Sequence, residues 1–447
     1  MKVRRFETTR VHGYMDLDVS FNPDITFLTG INGSGKTTVV NGISALISPS
    51  FAYLAETRYE KMKVEIEVDG VIVAIWAERD GEILTLGSSL DAQSLTIPVL
   101  GGDAGSGARV AERDMEYYRE QEARNSPHPV MKRLKALPTP MFLGLDRRSA
   151  SLFPTEVHGL ASATWRRRSH NVFSTSLSRS LLEAAALAEQ SYSGVQAQLR
   201  DLTDGLRKQF VLSAMQYASV TDTKASLPSI EPHEVARVKS TLRDLGLTDD
   251  QIARHVDPFV EKLKEMVAYA PFDEDFTTVL SGQDQKKSQA YVEWFTNRPQ
   301  FDRLTRLLKQ VDRFVSQSQK ASAPLDNYIQ TVNNFLNDSG KQLRFDRTGN
   351  LIVTIGGGTG RGINALSSGE SQIVVILTHL AFNPSARSAN VFIVDEPELS
   401  LHLRWQELFV PAIKTLNPLL QTILATHSPA IILEDLEHCV DLSSTVQ

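Results

Sequence analysis

Cysteine is nearly absent: Cys439 stands alone among 447 residues. That excludes an intramolecular disulfide framework and a cysteine-rich zinc site, and fits a reducing compartment with the cytoplasm as the expected location. Positive charge is not in excess either. A formal net charge of -6 supplies no global field toward DNA, RNA or anionic lipid, so any such contact needs a local basic patch. Long apolar runs are missing: the most apolar stretch, Ile373 to Phe382, is interrupted by His379 and is far shorter than the ~20 residues that span a bilayer. The N-terminus sets Arg4 and Arg5 before Glu7 with no apolar core behind them, unlike a signal peptide. What is present is the composition of a globular chain, 41% apolar, long enough for about two or three domains.

The opening segment reads as sheet. Asp16 to Phe21 alternates, and Asp24 to Thr29 is a β-rich run that ends at Gly30. Thr37 to Ile47 follows as a helix closed by Ser48-Pro49, and Lys63 to Val68 and Gly70 to Ala77 flank the hairpin signal Asp69-Gly70. The glycine run from Gly101 to Gly107 reads as a surface loop. Between about Ser174 and Asp338 apolar residues recur at helical spacing, as in Leu199, Leu202, Leu206 and Phe210, and in Leu325, Ile329, Val332 and Leu336. Pro228, Pro232, Pro258, Pro271, Pro299 and Pro324 divide this region, which favours short helices in a compact or hairpin-like subdomain over one long coiled coil. Sheet returns after Gly340, with Gln342 to Asp346 and Asn350 to Ile355 around Arg347-Thr348-Gly349, and helix and strand then alternate to Leu433. The expected fold is α/β with residues 1–160 and 341–447 as two lobes of one head and 161–340 as a helical insertion, for which a coiled-coil-like form is the open alternative.

Between the first β-run and its helix lies Gly30-Ile31-Asn32-Gly33-Ser34-Gly35-Lys36-Thr37, which matches the Walker A pattern at every specified place. Backbone N–H groups of such a loop, with the positive end of the next helix, wrap nucleotide phosphates, and glycine is needed where a Cβ would block that approach. Gly30, Asn32, Gly33, Ser34, Gly35, Lys36, Thr37 and Thr38 are therefore the nucleotide-binding candidates. Lys36 is expected on the β- and γ-phosphates and the Thr37 hydroxyl on Mg2+. Val391 to Val394 is a continuous apolar run, the mark of a strand buried on both faces, and it ends in Asp395-Glu396. Two adjacent carboxylates there resist ionisation unless a cation compensates. Asp395 is the expected metal ligand and Glu396 the group that polarises the attacking water. Thr422 to Thr426 then delivers His427, where a neutral imidazole can hydrogen-bond a γ-phosphate. Leu366-Ser367-Ser368-Gly369-Glu370 precedes an apolar helical stretch and Glu370 lies 25 residues before Asp395; by itself the string is an ordinary N-capped helix start.

The order Walker A, helical insertion, Leu-Ser-Ser-Gly-Glu, Walker B and Thr-His-Ser resembles the ABC-class P-loop ATPases of the SMC, RecF and OLD type, over Val3 to Ala77 and Lys341 to Leu433. Asp395-Glu396-Pro397-Glu398-Leu399-Ser400-Leu401-His402 looks like that group's joined Walker B and D-loop, with Leu403 where proline is frequent. The resemblance implies a head that binds ATP and Mg2+ and closes on a second head, forming a homodimer or higher homo-oligomer. It also implies that Ser367 and Gly369 serve the partner's nucleotide. His12-Gly13-Tyr14 is a candidate for the run past the adenine, with Tyr14 as a plain packing aromatic the open alternative. Phe142 to Arg148 is a candidate for the glutamine-loop position.

Three tasks fit this head. The preferred one is a sensor ATPase, similar to the ATPase subunits of anti-phage systems such as Septu and PARIS, that controls a separate nuclease or toxin chain. The 20 residues after His427 leave no room for the nuclease domain that OLD proteins carry there. The second is a RecF-like repair factor with DNA as partner, for which Trp165-Arg166-Arg167-Arg168, His170 and Lys286-Lys287 are the basic candidates. The third is a structural ATPase with negligible turnover. No membrane partner is expected.

Overall fold

The computed structural model describes residues 1–100, 108–143, 176–215, 239–240, 243, 248–269, 285–433 and 435–444. The Gly101–Gly107 run, Gly144 to Arg148, the Trp165 to His170 patch, and Pro228, Pro232 and Pro271 lie outside them.

Three sheets form. The first is antiparallel, in the order β2-β1-β4-β5-β6-β7, from β1 (Lys2–Val11), β2 (Met15–Ser20), β4 (Lys61–Val68), β5 (Val71–Asp80), β6 (Ile83–Ser88) and β7 (Asp91–Pro98). Its β4-β5 hairpin closes through Asp69 and Gly70 at φ +51° and +82°, the two left-handed residues a type I′ turn requires. The second sheet is parallel, in the order β14-β3-β13-β12-β8, from β3 (Ile25–Thr29), β8 (Met141–Leu143), β12 (Val391–Asp395), β13 (Gln421–Ala425) and β14 (Cys439–Asp441). Every residue of β12 and β13 is buried, as strands covered on both faces must be. The third is a small antiparallel sheet, β11-β10-β9, from β9 (Lys341–Phe345), β10 (Leu351–Ile355) and β11 (Arg361–Gly362). The Asp346 carboxylate organises its first turn, accepting from the Thr348 and Asn350 amides at 2.8 and 2.9 Å. Hydrogen bonds from Thr348 and Asn350 hold that carboxyl down at about 2.

The parallel sheet joins the two ends of the chain. β3 pairs with β13 in the register Phe27↔Leu424 and with β14 in the register Phe27↔Cys439. Helix α1 (Lys36–Ile47) packs against β4 and β5 and against β12 and β13. It is therefore buried nearly all round: Val39, Val40, Ile43 and Leu46 share one buried cluster with Phe6, Met62, Val64 and Ile75 and with Val391, Ile393 and Ile423. Gly42 is where α1 meets β1 most closely, since a Cβ there would lie 2.6 Å from Phe6 Cζ. Buried Gln421 ties the same ends, accepting from Val3 N at 2.7 Å and donating to Val3 O at 2.8 Å and Asn22 O at 2.7 Å.

The remaining helices are α2 (Phe51–Glu56), α3 (Ala108–Arg124), α4 (Pro129–Lys135), α5 (Ser176–Met215), α6 (Asp249–Tyr269), α7 (Gln285–Leu336), α8 (Ser368–Phe382), α9 (Pro384–Ala389), α10 (Leu403–Leu416) and α11 (Pro429–Ile432). The chain divides into a unit of Met1–Tyr192 with Pro324–Gln447 and a unit of Ser193–Ala323. Within the second, Leu206, Ile252 and Val311 are buried and Lys239 pairs with Asp257 at 2.6 Å.

The expectation of short helices divided by proline needs correction. α5 runs 40 residues and α7 runs 52, and Pro258, Pro299 and Pro324 lie inside α6 and α7. A proline removes one i→i−4 bond and bends the helix, but the seam around it decides whether the helix continues. Pro324 is exposed, while Leu325, Tyr328, Val332, Phe335 and Leu336 behind it are buried. The packing of that stripe outweighs one lost bond. Among the described residues no helix is long and apolar enough to cross a membrane.

Candidate nucleotide site

The Walker A loop leaves β3 and enters α1. Gly30 takes φ +139° and Gly35, the residue capping α1, takes φ +93°, a region closed to most side chains. Space adds to the demand: a Cβ on Gly30 would lie 2.6 Å from Ser34 Oγ, and one on Gly35 2.9 Å from Met15 Sδ. Ser34 and Lys36 are buried, whereas Ile31, Asn32 and Gly33 are exposed. The Lys36 ammonium donates to Gly30 O at 3.0 Å and Ile31 O at 3.1 Å, so it lies along the loop. Burial pushes it below its usual value, against the pull of Glu396, Asp395 and Glu398.

Those carboxylates come from the far end of the chain. β12 ends at Asp395, 3% exposed, and its carboxylate lies beside the Thr37 side chain. Burial pushes this carboxyl up, Thr37 opposes the shift and Glu396 adds to it. Its Oδ1 is buried without a hydrogen-bond partner. Buried carboxylate oxygens are ordinarily satisfied, and an oxygen left open beside a threonine hydroxyl suits a hard cation. Mg2+ is commonly held by one or two protein oxygens with the rest from phosphate and water, and Thr37 and Asp395 supply that number. Glu396 follows at φ +49°, its amide donating to Ala425 O at 2.8 Å, so the chain turns sharply where the strand stops.

β13 delivers Thr426 and His427 beside this turn. The Glu398 carboxylate accepts from Thr426 Oγ1 at 2.8 Å and from the His427 amide at 2.7 Å. The His427 side chain is exposed. Thr38 is buried on α1, and its hydroxyl lies 3.1 Å from His12 Nε2. His12 and Gly13 form the left-handed turn between β1 and β2, and Tyr14 on it is 63% exposed, so the reading of Tyr14 as a packing aromatic does not hold.

Ser367 and Gly369 have different surroundings. Ser367 caps α8 in a capping box: its hydroxyl accepts from the Glu370 amide at 3.4 Å and its amide donates to Glu370 Oε2 at 2.6 Å. Lys341 donates to the same Glu370 oxygen at 2.7 Å. A Cβ on Gly369 would meet Trp405 at 3.6 Å and nothing nearer, and Trp405 Nε1 donates to Phe335 O at 3.0 Å. The signature loop is thus tied to the root of α7 and to α10, and none of these contacts reaches the Walker A loop. Of the glutamine-loop candidate only Phe142 and Leu143, in β8 beside β12, are described.

Sequence reading missed two contacts of the site. Ser443 Oγ accepts from the Ile31 amide at 3.2 Å, which the short β14 makes possible and no spacing signals. Glu398 was visible only as part of the acidic string, and its reach to His427 depends on the turn that follows Glu396.

Residues 243–434 match the family model described as "AAA domain, putative AbiEii toxin, Type IV TA system". Over 113 residues the chain is 30% identical to "Retron Vc95 probable ATPase" of Vibrio cholerae serotype O1 biovar El Tor, a match spanning 23% of this chain and 22% of the relative. Among solved structures it aligns with the Smc head domain with an extended coiled coil, bound to the C-terminal domain of ScpA, from Pyrococcus furiosus. That pair is 11% identical, covers 100% of this chain and 94% of the other, and has a TM-score of 0.40. The Smc head domain with a coiled coil and joint from Pyrococcus yayanosii is 12% identical, with 96% and 93% covered and a TM-score of 0.36. The loop that follows β3 and the acidic end of β12 thus lie in one parallel sheet with β13 between their strands, and residues 243–434, which include that acidic end, are similar to the AAA domain family.

Proposed function

We propose that the chain binds ATP with Mg2+ and hydrolyses it slowly, in an assembly of paired heads that controls a separate effector chain, a nuclease or toxin, in anti-phage defence. The observation that carries the reading is the meeting of Thr37 and Asp395, with Asp395 Oδ1 left open beside the Walker A loop.

In this reading the amides of Asn32 to Thr38 and the Lys36 ammonium hold the triphosphate. Thr37 and Asp395 hold the ion, which when bound neutralises charge on the phosphates. Glu396 accepts the proton of the attacking water, and its turned backbone carries its carboxylate beyond the end of β12. His427 donates a hydrogen bond toward the γ-phosphate. Ser367 and Gly369, whose contacts lie away from this head's own cradle, face the nucleotide of a second head. The resemblance of the chain's C-terminal half to a family described with toxin systems, and of 113 residues to a retron ATPase, supports the defence setting.

Purified chain tests this with ATP hydrolysis and size measured together. Lys36→Ala abolishes ATP binding and Glu396→Gln retains ATP and accumulates the paired form. Equal turnover and equal oligomeric state in wild type and both variants overturn the reading.

A further inference from the structure

We infer that Glu398 is a positioning residue that fixes His427 to the acidic end of β12, so that both sides of the γ-phosphate position move as one body. The inference rests on the ATPase reading above and adds a residue to it.

Backbone pairing between β12 and β13 reaches Asp395↔Ala425, and the Glu396 amide adds one more bond to Ala425 O at 2.8 Å. Beyond that point the strands cannot stay paired, because Glu396 turns into the left-handed region and the 3-10 turn Pro397–Ser400 begins. The amide of His427 then has no strand partner. Glu398 replaces the missing pairing with its side chain, accepting from the His427 amide at 2.7 Å and the Thr426 hydroxyl at 2.8 Å. Hydrogen bonds to an ionised acceptor are stronger and more directional than neutral ones.

The clamp is braced on both sides. Thr426 Oγ1 also accepts from the Ser428 amide at 3.0 Å, and the Ser428 hydroxyl donates to Gln406 Oε1 at 2.6 Å. Gln406 Nε2 donates to Leu401 O at 2.7 Å, which returns the network to the segment after Glu398. The Thr426 amide donates to Leu28 O at 3.1 Å, on the strand that feeds the Walker A loop. A shift of the turn carrying Glu396 therefore shifts the backbone of His427. Displacement of a catalytic group by about 1 Å is enough to cost on the order of a hundredfold in rate.

The test uses the full chain with ATP and Mg2+. Glu398→Ala is expected to lower kcat on the order of a hundredfold, with KM for ATP within about twofold. Glu398→Gln keeps one acceptor oxygen and is expected to recover about tenfold of that loss; it also replaces Glu398→Ala in every measurement if the latter fails to fold. Because Glu398 acts through His427, the variant carrying both Glu398→Ala and His427→Ala is expected to be no slower than His427→Ala alone. Hydrogen exchange of the ligand-free protein reads the clamp without ATP: exchange at the His427 amide is expected to rise at least tenfold in Glu398→Ala. An unchanged kcat, multiplying losses in the double variant, or unchanged exchange overturns the inference. A wild type that hydrolyses no ATP removes the ATPase reading instead, and the exchange result still judges the clamp.

Discussion

Asp395→Asn is expected to stabilise the ligand-free protein while depriving it of its response to ATP and Mg2+. Asp395 is buried, its Oδ1 has no partner, and Glu396 stands next to it. An unsatisfied buried polar group costs roughly 1–3 kcal/mol, more when charged. Burial, reinforced by Glu396 and opposed by Thr37, raises the carboxyl above its ordinary value. A raised folded value favours the neutral acid, so this group's contribution is full below the unfolded value and is lost as pH rises through the folded one. At pH 7 the wild type therefore carries an ionisation cost that the neutral asparagine lacks. Asparagine keeps the size and an oxygen toward Thr37, so the net gain is about 1–2 kcal/mol, or roughly 1–2 °C in Tm for a chain of this length. Melting curves at pH 7 and near pH 4, with and without ATP and Mg2+, measure it. Without ligand the variant melts higher, and the gap narrows toward pH 4. With ligand at about 100 times Kd the wild type gains about 2.7 kcal/mol and overtakes the variant. A variant that melts below wild type without ligand, or gains as much from ATP and Mg2+, refutes the assignment of that oxygen to a cation.

Other outcomes follow from single contacts. Glu370→Ala leaves Lys341 half-buried without its 2.7 Å partner and opens the capping box, so urea unfolding should show a loss of about 2–4 kcal/mol. Burial alone would raise the Glu370 carboxyl, but Lys341, Ser367 and Ser339 together hold it below its usual value. Its stabilisation is therefore present above the ordinary glutamate range and lost as pH falls through the depressed value, and Glu370→Gln should lose less between neutral and acid pH than wild type does. Gly42→Val drives a side chain into the Phe6 ring and should cost about 1–3 kcal/mol by the same assay, whereas Gly340→Ala, with open space around its Cβ but φ +64°, should lose only about 1 kcal/mol.

Much of the fold was legible because local physics dictated it. Asp69-Gly70 admits one turn type, the apolar run before Asp395 has the length of a strand buried on both faces, and the Walker A glycines sit where a strand becomes a helix. Proline misled because its local cost is visible in sequence while the compensating stripe from Leu325 to Leu336 shows its weight only when packed. Lys2 to Val11 carries charged residues throughout, which hid β1; Arg4 pairs with Glu67 across to β4, and Arg5 with Asp18 across to β2 at 2.5 Å. In the site, residue types at strand ends could be read directly. Contacts made by turns beyond those ends, such as Glu398 with His427 and Ser443 with Ile31, depend on backbone directions that no spacing encodes.

The central claim is that Thr37 and Asp395, more than three hundred positions apart, share one metal-nucleotide site. Electron paramagnetic resonance of Mn2+ added with ATP to the purified chain tests it most directly. The account predicts a bound-Mn2+ signal in wild type that is lost in Thr37→Ala and equally lost in Asp395→Ala. A full Mn2+ signal in Asp395→Ala would contradict it.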